Sequence, residues 1–326
     1  MPFREILGQP TAVEILTRAL GSGKLHHAYR FEGPDGVGKE LTAFALAQSL
    51  VCERPQSGLA CRDCSACKRA IVLATEPPNV PLHPDVVLIG KGLYPPAVLG
   101  TSSPETSAIG IEQIRKMILG RVGYSSHEGQ NLVFLIRAAE ELSQGAANAL
   151  LKTLEEPPQK VHFVLITSRP NRLLDTIRSR TLPVRFRGLS DEILGRILRT
   201  NGIDPSGIPL AQGSARLAMD LADSEKMENR DKFFELLQQA ILAKDLGSAL
   251  EVLGKKQDDR EELKLQLAWV LARFSAHARS IVDGDESGAE RMAQFHRIVM
   301  STTRDLDRNG QPALMLESMV TQLRRV

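Results

Sequence analysis

Residues 28–40 read Ala-Tyr-Arg-Phe-Glu-Gly-Pro-Asp-Gly-Val-Gly-Lys-Glu. Ala28–Glu32 has the character of a strand, and the turn Gly33-Pro34-Asp35-Gly36-Val37-Gly38-Lys39 opens a helix over Glu40–Val51. Strand, glycine turn and helix in that order gather backbone N–H groups and a helix N-terminus around one point. A phosphate chain can sit there, with the lysine reaching its outer oxygens. Gly33, Gly36, Gly38 and Lys39 are therefore candidate nucleotide-binding residues. One part of the pattern is replaced. The residue after the lysine should be Ser or Thr, whose hydroxyl holds Mg²⁺, and here it is Glu40.

Outward from this turn, short apolar runs alternate with helical patterns. Asp85–Ile89, Asn131–Ile136, Val161–Ile166 and Leu182–Phe186 read as strands. Ser143–Leu154 reads as a helix capped by Ser143 and stopped by Pro157-Pro158, and Leu173–Ser179 as a short helix. Continuously apolar strands between helices indicate an α/β fold, a parallel sheet covered on both faces. Lys91–Ser107, rich in Pro, Gly and Ser, reads as a loop insertion. Beyond Leu189 strand-like runs stop. Helices at Ser190–Arg199 and Ala215–Asp223 suggest a small helical domain over 189–224, and 225–326 reads as all-helical. The α/β domain then spans 1–188.

A nucleotide hydrolase also needs acids at the exit of a buried strand, one for Mg²⁺ and one for water. After Asn131–Ile136 come Arg137 and Ala138, which can do neither, and Glu140 and Glu141 are expected a turn later on a solvated helix face. Hydrolysis by this chain alone is not expected.

All four cysteines lie in one stretch, Cys52, Cys61, Cys64 and Cys67, spaced C-x8-C-x2-C-x2-C. In a reducing compartment clustered thiols point to metal before disulfides. Four thiolates fill the tetrahedral shell of a structural Zn²⁺ and leave no place for a catalytic water. A disulfide pair or an iron–sulfur cluster are the competing uses of the same thiols. The histidines at 26, 27, 83 and 127 are not needed as ligands and are expected to pack or face solvent. Trp269 is expected in the core or at a subunit interface.

The 326 residues carry 41 basic and 39 acidic side chains, a net charge of +2. That balance excludes a surface coated in positive charge, and an aromatic fraction of 4% offers few stacking platforms for single strands. No run approaches the length of a membrane span, and the opening Met1-Pro2-Phe3-Arg4-Glu5 lacks the marks of a signal peptide, so a cytoplasmic protein is expected.

Together the phosphate turn, His26-His27-Ala28-Tyr29, the inserted cysteine module, His83-Pro84-Asp85 and Ile114-Arg115 resemble the clamp-loader branch of the AAA+ superfamily. The string Ala147-Asn148-Ala149-Leu150-Leu151-Lys152-Thr153-Leu154-Glu155-Glu156-Pro157-Pro158 is the most specific part of that resemblance. Within the branch, the motifs are most similar to the delta-prime family of bacterial DNA polymerase III. The resemblance implies an AAA+ P-loop domain with a zinc module at 52–67, a helical lid and a C-terminal collar. It also implies a place in a hetero-pentamer with a catalytic ATPase subunit and a clamp-opening subunit, acting on a sliding clamp and primer–template DNA. Ser179-Arg180-Thr181 is similar to the family's Ser-Arg-Cys motif, with Thr181 in place of Cys. The resemblance makes Arg180 an arginine finger acting in trans on a neighbour's nucleotide. Thr167 matches the family's first sensor position and Arg216 its second, so ATP or ADP binding remains open to this chain. Family members that hydrolyse ATP keep Ser or Thr after the lysine and an Asp-Glu pair. Glu40 and Arg137 depart from them, as a subunit with a degenerate site would.

Overall fold

The computed structural model describes residues 3–326 except 103–106, 125, 129, 204–207, 209–210, 254–259, 282–283 and 308–309. The chain divides into two compact units, Met1–Ile193 and Leu194–Val326.

The first unit is built on strands β1 (Ala28–Glu32), β2 (Val86–Ile89), β3 (Leu132–Ile136), β4 (Val161–Thr167) and β5 (Leu182–Arg185). They form one sheet in the order β2-β3-β4-β1-β5, and every pairing is parallel. Around it run α1 (Pro10–Ser22), α2 (Lys39–Leu50), α3 (Ser65–Ile71), α4 (Pro96–Leu99), α5 (Ile111–Ile114), α6 (Gly120–Val122), α7 (Gln144–Glu155) and α8 (Asp175–Arg178). All residues of β2 and β3 are buried, which is why their runs are continuously apolar rather than alternating. On one face Val87, Ile89, Leu132, Phe134 and Ile136 join Phe163, Leu165, Leu150 and Leu154 in the core. Helix α7 starts where expected, with the Ser143 hydroxyl accepting from the Ala146 N–H at 3.2 Å.

Two details differ from the sequence reading. The segment expected as a loop at 91–107 contains the short helix α4, begun by Pro95-Pro96, and its residues 103–106 lie outside the described residues. Glu140 and Glu141 end a short 3-10 turn over Ala139–Glu141 rather than lying on a solvated helix. Glu140 Oε1 accepts from the Ser168 N–H at 3.2 Å and from its hydroxyl at 2.9 Å, while Glu140 Oε2 is buried. Glu141 pairs with Lys91 at 3.0 Å.

Register places the functional ends of the strands together. Because β4 lies between β3 and β1, Glu32 stands opposite Thr167 and Ile136 opposite Leu165. The chain leaving β1, β4 and β3 therefore emerges side by side at the carboxyl edge, where open α/β sheets bind ligands.

In the second unit every described element is helical: α9 (Asp191–Thr200, which begins in the first unit), α10 (Ala215–Leu221), α11 (Ser224–Leu242), α12 (Leu246–Leu253), α13 (Arg260–Ile281), α14 (Glu286–Asp307) and α15 (Pro312–Leu323). Its core joins Phe233, Leu237, Phe274, Val299, Met319 and Val320. Trp269 is buried there, and its indole N–H donates to Asp231 at 3.0 Å.

Candidate functional site

The turn between β1 and α2 has the backbone of a phosphate loop. Gly33, Gly36 and Gly38 take φ of 152°, 72° and 96°, values that side chains rarely tolerate. A Cβ on Gly33 would lie 2.3 Å from the Phe186 carbonyl oxygen. The loop is tied on both sides. Gly33 N–H donates to Thr167 O at 3.3 Å, and the amide of buried Gln9 donates to Val37 O at 3.2 Å and to Arg187 O at 2.7 Å. Lys39, 5% exposed, donates from Nζ to Gly33 O at 2.6 Å and Pro34 O at 2.5 Å and lies 3.5 Å from Asp35. Burial lowers its pKa, against the attraction of Asp35 and Glu140. Thr167 is buried at the end of β4, and its hydroxyl accepts from the Arg169 N–H at 3.0 Å.

Glu40, beside the lysine, is bound by Arg137 from the exit of β3. Arg137 Nε donates to Glu40 Oε1 at 2.9 Å, and Nη2 donates to the same oxygen. The two residues that depart from a magnesium-nucleotide site thus meet each other. A magnesium ion does not fit this set: the hydroxyl and the strand-exit acid are gone, and a guanidinium grips the remaining carboxylate.

Arg180 lies at the opposite, amino edge of the sheet, between α8 and the start of β5. Its Nη1 donates to Thr176 O at 2.9 Å and to the Ser179 hydroxyl at 3.2 Å, and Nη2 pairs with Glu155 at 2.5 Å. Its side chain is 32% exposed. The turn beneath it is held by a residue that sequence reasoning missed. Arg30, 6% exposed in β1, pairs with Glu32 at 2.5 Å and donates to Arg178 O at 2.7 Å and to the Thr181 hydroxyl at 2.6 Å. The Thr181 hydroxyl in turn donates to Ile177 O at 2.9 Å. A charge inside an otherwise apolar strand was the available signal for Arg30. Gln9 carried no comparable signal.

Arg216 stands in the second unit on α10, exposed, 3.9 Å from Asp220. Gly33, Gly36, Gly38, Lys39 and Thr167 all belong to the first unit and share its carboxyl edge.

The four cysteines converge. Their sulfurs lie within 4.8 Å of one another, and all four thiols are free of disulfides. Thiolates about 2.3 Å from a tetrahedral zinc would stand roughly 3.8 Å apart, so the cluster fits such an ion closely. Cys52 follows α2, and Cys64 caps α3 by accepting from the Cys67 N–H at 3.4 Å. Cys61 N–H donates to Cys52 Sγ at 3.2 Å and Cys64 N–H to Cys61 Sγ at 3.4 Å. Those N–H groups favour thiolates: the donors of Cys64 and Asp63 bring Cys61 down to about 6, while burial raises Cys52 and Cys67. Nearby, His83 is buried 3.2 Å from Glu128, which Arg69 of α3 grips at 2.7 Å and 2.8 Å. His83 is buried, and its Nδ1 accepts from the Asp85 N–H at 3.1 Å.

No helix among the described residues is long and apolar enough to cross a membrane. Residues 8–190 match the family described as "DNA polymerase III, delta subunit". The chain is 33% identical over 231 residues to DNA polymerase III subunit gamma of Buchnera aphidicola subsp. Schizaphis graminum, covering 68% of this chain and 57% of that protein. It is 32% identical over 279 residues to the gamma subunit of Buchnera aphidicola subsp. Acyrthosiphon pisum, covering 78% and 71%. It is 33% identical over 315 residues to the tau subunit of Escherichia coli, covering 91% of this chain but only 44% of that longer protein. A phosphate loop at the carboxyl edge of a parallel sheet, an arginine turn at its amino edge and these relatives agree: the chain belongs to the AAA+ clamp-loader family of DNA polymerase III.

Proposed function

We propose that this chain is a non-catalytic, delta-prime-like subunit of a DNA polymerase III clamp loader, acting in the cytoplasm. It would join a catalytic ATPase subunit and a clamp-opening subunit in a hetero-pentamer that places the sliding clamp on primed DNA. Its own site is degenerate, and it donates Arg180 to the nucleotide of a neighbour. The observation that carries this reading is the contrast between the two opposite edges of one sheet. At the carboxyl edge Glu40 and Arg137 neutralise each other where metal ligands should stand; at the amino edge Arg180 keeps a braced, accessible guanidinium. An arginine supplied in trans stabilises charge as the transition state develops it. The reading also takes the three-part division, with the 1–188 AAA+ domain, the 189–224 lid and the 225–326 collar, and assigns Zn²⁺ to Cys52, Cys61, Cys64 and Cys67. Gly33, Gly36, Gly38, Lys39, Thr167 and Arg216 are then remnants of a nucleotide site.

A second reading, a catalytically active loader ATPase, is favoured by the gamma and tau names of the relatives. One experiment separates them: ATP turnover by a loader reconstituted with clamp and primed DNA, using the native chain or Arg180→Ala, and by this chain alone. We expect no turnover alone and a fall of about tenfold or more with Arg180→Ala, up to the roughly 10³–10⁵ that such an arginine can supply. An unchanged rate removes Arg180 from the mechanism; turnover by the chain alone establishes the second reading.

A further inference from the structure

We propose that the Glu40–Arg137 ion pair takes the place of the divalent cation in this phosphate pocket, so that the polyphosphate the pocket accepts is a metal-free one. Glu40 opens α2 directly after Lys39, and Arg137 follows the last residue of β3. These are the two positions from which a phosphate loop and a strand exit ordinarily hold magnesium between them. Here each position carries a full charge, and the charges are opposite.

The pair excludes the metal by charge rather than by covering the place. Side-chain exposures of 34% for Arg137 and 40% for Glu40 leave it open to solvent. A divalent ion arriving there meets a guanidinium that cannot lose its proton, and one of the two carboxylate oxygens, Oε1, already accepts two N–H groups from it. Of the neighbouring Glu140 carboxylate, Oε1 is committed to the N–H and hydroxyl of Ser168, and the charge on the group, with Oε2 buried, is already attracted by the Lys39 ammonium. For a phosphate chain the same arrangement is favourable. Arg137 turns Nε and Nη2 to Glu40, which leaves Nη1 to donate to a phosphate oxygen, and it stands with Lys39 and the glycine loop at the start of α2. A metal-free polyphosphate carries more negative charge than its magnesium complex and suits a fixed cation. The complex would bring a second, mobile cation beside the first.

The inference rests on the phosphate loop and not on Arg180. A loader indifferent to Arg180→Ala leaves it standing, and its own failure leaves the trans arginine standing. The test is titration calorimetry of the full, zinc-saturated chain with ADP, ATP and inorganic pyrophosphate, each in chelator-free buffer stripped of Mg²⁺ and in excess Mg²⁺. Native chain is expected to bind without Mg²⁺ at least as tightly as with it. Pyrophosphate binding would show that the phosphates suffice, and nucleotide binding alone that the base contributes as well; either supports the inference when removal of Mg²⁺ does not weaken it. The double variant Glu40→Thr, Arg137→Asp restores a hydroxyl and an acid. Magnesium should then tighten ADP binding by about tenfold or more, the scale of one added charge-assisted interaction. Mn²⁺ in place of Mg²⁺ supplies a second readout, because its paramagnetic resonance spectrum should change with protein and ADP only for the double variant. If that variant does not fold, the comparison on the native chain decides by itself. Tighter native binding in Mg²⁺, a native Mn²⁺ signal, or no binding of any of the three ligands in either buffer overturns the proposal.

Discussion

Arg30 decides where the Ser179-Arg180-Thr181 turn sits. A guanidinium 6% exposed in a strand survives because its Nε meets Glu32 and its Nη1 meets Arg178 O and the Thr181 hydroxyl. The side chain at 181 is therefore a bracket, and replacing cysteine by threonine there is a structural matter as well as a neutral one for charge. Thr181→Val removes an acceptor from a buried cation and should cost about 1–3 kcal/mol in urea unfolding. Glu155 is different. Its pair with Arg180 is half-exposed, so Glu155→Gln should change stability by less than about 1 kcal/mol in the same measurement.

At the scale of elements, the two loops flanking α2 are held by different means. The phosphate loop before it depends on backbone shape and on close approach to residue 186. Gly33→Ala forces a side chain onto a backbone carbonyl at a left-handed φ, and should lower the urea midpoint by the equivalent of about 1–3 kcal/mol or more. The cysteine loop after α2 has few apolar residues of its own; the Ser49 hydroxyl accepts from Ala60 N–H at 3.2 Å and Glu53 accepts from Ala66 N–H at 3.0 Å. A metal held by four thiolates contributes about 10–16 kcal/mol in small zinc modules. Chelation should accordingly abolish amide-exchange protection over 52–71 while β1, β3 and β4 keep theirs, and re-addition of Zn²⁺ should restore it.

For the whole molecule, acid is the expected weakness. Burial holds His27, His83 and His162 below the ordinary histidine value of 6.5. The unfolded chain then takes up protons first as pH falls. Stability is full above about pH 6.5 and declines as pH drops toward the folded values, by at most about 1.4 kcal/mol per pH unit for each histidine. The groups facing them differ: Glu128, Asp85 and Glu53 against Arg69 around His83, and His26 beside the other two. Arg69 holds the Glu128 carboxyl below its usual range, so that pair adds a further loss at lower pH. Urea midpoints in zinc-saturated buffer should fall between pH 7 and 5.5, and His83→Gln should flatten part of that slope.

Much of this was legible along the chain. Five runs became the five strands within a residue or two; for β2, β3 and β4 that is because a sheet buried on both faces leaves little room for polar alternation, whereas the edge strand β5 is largely exposed. The glycines of the phosphate turn and the four cysteines needed only spacing, since both sites are made within a few consecutive residues. What the sequence could not supply were partners distant in the chain. Glu40 and Arg137 were each visible as departures, but 97 residues separate them, and only the packing of β3 beside β4 and β1 turned two departures into one ion pair. Glu140 was misread for the same reason, its donor Ser168 lying on another strand exit. Local backbone chemistry is written in neighbouring residues; which charges neutralise each other is set by strand order, and strand order exists only in the folded sheet.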